Sequence, residues 1–199
     1  MVVDEGQKLA DKYDFDLWSV SLDLFKHMAM AARGQTQSIE EARRLLARCK
    51  TMGSQIVAPL DHTIIAELLG QVGLVEEGHA ELDTAFANMN ATQERHYEAE
   101  THRVRGELYL KERQGKEAAV WTTLGRKAEQ CFLTACGTAE KQSAFAYEVR
   151  SALSLARLWI AESKPHEARK LLEPICSRSG DWNSPELERA KSLIAELSN

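Results

Sequence analysis

SAFAYEVRSALSLARLWIAESKPHEARKLLEPIC, residues 143–176, is the stretch on which the fold turns. Ala156 stands inside its first half, with Phe145, Tyr147 and Trp159 at inward-facing helical spacing around it. In the second half Ala168, Leu171, Leu172 and Ile175 share one face at three- and four-residue intervals, as an amphipathic helix requires. Pro165 suits the first turn of that second helix, where a missing N–H costs nothing. Two helices, each with a small residue at a matched position, make a hairpin whose backbones approach closely.

The pattern recurs towards the N-terminus. Ala29, Ala66 and Gly106 precede Ala156 as first-helix markers, and Ala42, Gly78 and Ala128 precede Ala168 as partner-helix markers. Helix pairs are expected at roughly 15–50, 58–89, 94–139 and 143–177, flanked by helices over 2–13 and 184–198. In the first pair Leu17, Leu24, Phe25, Met28, Ala29 and Ala32 form the apolar face, and Gly34 ends the helix. Ser38 with Glu41 then reads as a capping box. Ser184 reads as the N-cap and Pro185 as the first residue of a last helix that closes the core on one side and meets water on the other.

Successive markers lie about 40 residues apart, apart from one interval of about 50. That surplus falls at ERQGKEAAVWTTLGRK, residues 112–127, and implies either longer helices or a protruding loop interrupted at Gly115 and Gly125. Trp121 is there either a docking aromatic or a plug over the adjacent core. Trp18, Phe25, Tyr97, Tyr109, Phe132, Phe145, Tyr147 and Trp159 are assigned to the core. The expectation is an all-α chain of about ten helices, forming one domain over 1–199. Its helix pairs would stack antiparallel as a right-handed solenoid of the tetratricopeptide type with a C-terminal capping helix.

Composition bounds the function. A 199-residue chain with 44% hydrophobic residues buries a substantial core, and only four prolines leave long stretches free to be helical. A net charge of −5 argues against nucleic-acid or membrane partners, because neutralising phosphates needs a basic excess. No apolar stretch reaches membrane-spanning length, and MVVDEGQKLADKYDF lacks the basic and apolar segments of a secretory signal, so a cytoplasmic location is expected. Cys49, Cys131, Cys136 and Cys176 show no zinc-like spacing and read as reduced core thiols.

YEAETHRVRGELYL (97–110), QSAFAYEVRSALSLARLW (142–159), HEARKLLEPI (166–175) and PELERAKSLIAEL (185–197) resemble a known family. It is the tetratricopeptide-like C-terminal region of bacterial STAND-type ATPases, adenylate cyclases and related transcription regulators. The resemblance covers about residues 60–199, and its framework is Arg103, Arg105, Gly106, Glu107, Arg150, Ala156 and Arg157. CSRSGDWNS (176–184) stands where that family often has an aromatic, glycine-containing stretch, with Trp182 as its remnant. No GxxxxGK[ST] phosphate loop occurs. The resemblance implies a scaffold or sensor portion without the enzymatic parts.

In a tetratricopeptide-type superhelix the first helix of each pair lines the concave surface. Register places Lys26, Met30 and Arg33 there from the first pair, and Glu67 from the second. Arg103, Glu107 and Lys111 follow from the third, with Arg150, Arg157 and Ile160 from the fourth. Several arginines in a groove grip carboxylates or phosphates by bidentate hydrogen bonds. The competing reading pairs Arg103, Glu107, Arg150 and Arg157 with one another as braces. Glu98 and His102, at i and i+4, are two ligands and not a metal site, and Cys131 and Cys136 have no base at nucleophile spacing. The expected role is therefore a non-enzymatic protein- or peptide-binding module with no cofactor. A small-effector sensor and a self-associating module, forming a homodimer, are the alternatives.

Overall fold

High helix propensity and few breakers give ten helices among the residues described, 2–54 and 57–197, of a computed structural model. They are α1 (Val2–Lys12), α2 (Asp16–Ala32), α3 (Ser38–Thr51), α4 (Ala58–Gln71) and α5 (Val75–Thr92), then α6 (Glu98–Glu112), α7 (Ala118–Lys141), α8 (Phe145–Ala161), α9 (Pro165–Ser177) and α10 (Pro185–Glu196). The expected last-helix boundary at 198 lies outside the described residues. The chain divides into two compact units, residues 1–95 and 96–199.

In the first unit α2 packs on α1, α3 and α4, and α4 on α5. Its core joins Leu24, Met28, Ala42, Leu46, Ile65 and Leu69. In the second unit α8 packs against α6, α7, α9 and α10. One cluster there unites Ala152, Ala156, Ala168, Leu172 and Leu187, and another centres on Phe132, Leu155 and Leu158.

Seven of the eight small-residue markers are buried. Gly106 shows why: a Cβ there would stand 2.5 Å from Cε1 of Phe132, inside contact distance, so α6 and α7 approach only because that atom is missing. Ala29 is the exception and corrects the register of α2. The buried face of α2 carries Val20, Leu24, Met28 and Ala31, whereas Ala29 is exposed. Trp18 and Phe25 also point outward, 66% and 41% exposed, and are not core residues. Apolar side chains occupy both faces of α2, so spacing alone does not choose between them.

The helix ends repeat one device. After α4, Leu74 N–H donates to Leu69 C=O and Gly73 N–H to Gly70 C=O, with Gly73 at φ 84°, which is a Schellman cap. The same pair of bonds closes α8, but there the left-handed residue is Ser163 at φ 61°. The capping box expected at Ser38 is absent. The helix is preceded by Gln37 in right-handed helical geometry, so Ser38 is already inside the helix and buried, and Glu41 pairs with Arg44. Ser184 does cap α10, accepting from Leu187 N–H at 3.1 Å.

The surplus of the third helix pair is helix. α7 runs 24 residues, with Gly125 buried inside it. A side chain at Gly125 would meet the Arg113 guanidinium at 3.2 Å and the Glu162 carboxylate at 3.4 Å, so this glycine leaves room for a polar contact and does not break the helix. The same guanidinium lies 4.1 Å from the Trp121 ring centroid, and Trp121 is otherwise partly open to solvent.

Candidate functional site

α6 and α8 bring Arg103, Glu107 and Arg150 together around a carboxylate that the sequence reading did not single out. Glu100, 3% exposed, accepts from Arg103 Nε at 2.9 Å and Nη2 at 2.8 Å, and from Arg150 Nη2 at 2.9 Å. Helical spacing makes this available, since residues 100, 103 and 107 lie on one strip of α6. Glu107 accepts from Ser154 Oγ at 2.6 Å and faces Arg103 Nη1 at 3.7 Å. A buried charge is tolerated only when paired, and here a carboxylate is held by guanidiniums from two helices. Burial raises the Tyr147 phenol above its ordinary value, and the nearby Glu100 and Tyr97 add to this. The fork of Arg103 is thus committed to a brace.

Of the remaining charged residues expected in the groove, two lie in the second unit and three in the first. Arg157 is exposed on α8, in a depression it shares with Glu188 and Arg189 of α10, and Lys111 is half-buried near the end of α6. Lys26 and Arg33 are exposed on α2 and Glu67 is half-buried on α4, all in the first unit. Among the described residues no three His, Cys, Asp or Glu side chains are placed to hold a metal ion. Burial lowers His102, with Glu98 opposing and Arg105 reinforcing. Burial, with Glu148 adding, pushes the Cys136 thiol up to about 12, so its thiolate is scarce at neutral pH.

A second constellation lies in the first unit, between α3, α4 and α5. Arg43 Nε donates to Glu81 Oε1 at 2.8 Å and Nη1 to Glu77 Oε2 at 2.8 Å, while His62 Nδ1 meets Glu81 Oε2 at 2.6 Å. Burial pushes the Glu81 carboxyl up, but the His62 hydrogen bond and charge, with Arg43, outweigh it and hold the group below its ordinary value. Arg43, His62 and Glu81 border a cavity of about 250 Å³. No spacing in the sequence singles out His62, because its partner Glu81 sits on another helix. A signal was present: Glu81 falls among Gly78, Leu82 and Ala85 on the buried face of α5, where a carboxylate needs a partner.

No family model, no curated protein and no solved structure matches this chain.

Proposed function

We propose that the chain is a non-enzymatic, tetratricopeptide-like module that recognises a protein or peptide partner in a bacterial signalling system, its helix pairs stacking as a right-handed solenoid. The observation that carries this reading is the apolar surface of α1 and α2. Trp18 and Phe25, seven residues apart on α2, are exposed, and so are Phe15, Leu9 and Tyr13. The Tyr13 and Phe15 rings lie 6.1 Å apart between centroids. Clustered exposed aromatics are what a partner surface offers as anchors. The resemblance of residues 60–199 to the helical region of STAND-type regulators supports the signalling context. Four cysteines without a disulfide fit a reducing cytoplasm. A second copy of the chain docking on the same surface is the second reading, since α1 and α2 pack together and each exposes apolar groups.

The test replaces Trp18 with p-benzoylphenylalanine and irradiates cells of the native host. One dominant adduct with a different protein, lost with Phe25→Glu, is the expected result. An adduct of twice the chain mass selects self-association. No adduct above that of a control at exposed Lys170 overturns both.

A further inference from the structure

Four exposed residues of α2, Trp18, Phe25, Ala29 and Ala32, follow one another at helical intervals and fall on one stripe of the helix. At the rise of an α-helix the stripe runs about 20 Å, roughly four turns. Its two large side chains stand at one end and its two small ones at the other. Small side chains let a second helix approach closely, and large ones fill the grooves between its ridges. Ala29 is also the one small-residue marker left exposed, so this face is shaped like the helix contacts inside the units but stays open. Among the described residues there is no β-strand, hence no sheet edge on which an extended segment could pair. The surrounding charge is one-sided. Between residues 4 and 26 six acidic side chains stand against three lysines, Lys8, Lys12 and Lys26. Asp14 and Asp16, both exposed, flank Phe15, and Glu5 and Asp11 are exposed on α1. Lys12 lies over the Tyr13 ring, with Nζ 5.0 Å from its centroid. An acidic excess around an apolar stripe steers basic partners in and turns acidic ones away.

We propose that what docks here is a basic amphipathic helix of the partner, lying along α2 with its apolar side chains against Trp18, Phe25, Ala29 and Ala32. Its lysines or arginines meet the acidic margin that includes Glu5, Asp14 and Asp16. This rests on the partner surface proposed above and adds the secondary structure and the charge of its occupant.

The probe is a blocked peptide of about 18 residues, long enough to span the stripe, with leucine at three- and four-residue intervals and lysine on both flanks. One twin carries glutamate for every lysine, and another carries two central prolines that forbid the helix. Titrated into the full chain by calorimetry and followed by amide chemical shifts, the lysine peptide is expected to saturate one site at least tenfold tighter than either twin. Shifts are expected at Trp18, Phe25, Ala29 and Ala32. Phe25→Ala, at an exposed position, should weaken it at least fivefold. Asp14→Asn together with Asp16→Asn should weaken it at least threefold, and asparagine keeps the left-handed backbone of residue 14, φ 54°. No saturable binding, equal affinity for the lysine peptide and either twin, unchanged affinity in Phe25→Ala, or shifts confined to other helices would each overturn the proposal. So would a dimer of the chain that Trp18→Ala abolishes and the lysine peptide does not dissociate, which gives the face to a second copy. A Trp18 adduct with a different protein, found beside equal affinity for the lysine peptide and its twins, leaves the partner surface standing without the basic helix, so the two readings fail separately.

Discussion

Gly106 of α6 and Phe132 of α7 fit closely, and the fit depends on one absent atom. Gly106→Ala is expected to cost about 1–3 kcal/mol, because Phe132 is fully buried and its ring has nowhere to go. Adding Phe132→Leu should restore part of that loss, a coupling that urea denaturation of the two single variants and the double variant will show. Asp61 makes the opposite case, a buried group that does not fit. It is 3% exposed, shares a helix face with Ile65 and Leu68, and its Oδ1 has no hydrogen-bond partner. Burial raises its carboxyl from 3.8 to about 7, against the opposing charge of His62. A raised acid favours the folded state when protonated. Its contribution is therefore complete below about pH 4 and is lost as pH rises towards 7, an effect on the order of a few kcal/mol. Asp61→Asn should raise the melting temperature at pH 8 and flatten its dependence between pH 4 and 7. Gly106 was legible as a small residue in a repeating pattern, although the ring that requires it was not.

At the scale of elements, the caps carry a testable inequality. Ser163 occupies the left-handed position that Gly73 occupies after α4, with the same two backbone bonds. Ser163→Gly is expected to stabilise by about 0.5–1 kcal/mol, and Gly73→Ala to destabilise by about 1 kcal/mol or more, both measured by thermal unfolding. Helices were the most legible feature of the sequence, because Gly34, Gly73, Pro165 and Pro185 mark their ends and alanine, leucine and charged residues fill much of their interiors. Faces were less legible. On α2 the outward Trp18 and Phe25 mimic a core stripe, and only packing against α1, α3 and α4 decides the matter. Gly125 looked like a breaker, yet it lies inside α7 because Arg113 and Glu162 occupy the space a side chain would take. The ion clusters were the least legible, since Arg43, His62 and Glu81 come from three helices and no spacing rule joins them.

Across the whole molecule, each compact unit has a core of its own. Leu24, Leu46, Ile65 and Leu69 serve the first, and Ala156, Ala168, Leu172 and Leu187 serve the second. Residues 96–199 produced alone are therefore expected to give a helical circular-dichroism spectrum and a cooperative thermal transition. A featureless melt of that fragment would count against an independent core. The tryptophans are distributed unevenly over these units. Trp18 alone belongs to the first and is already bathed in water when folded. In the second, Trp121 lies beneath Arg113, Trp159 donates to Glu129 at 2.6 Å, and Trp182 meets Phe145 edge-on. Intrinsic emission thus reports on the second unit almost alone, while far-ultraviolet dichroism reports on both, and following the two signals along one denaturant series times the loss of each unit without any label.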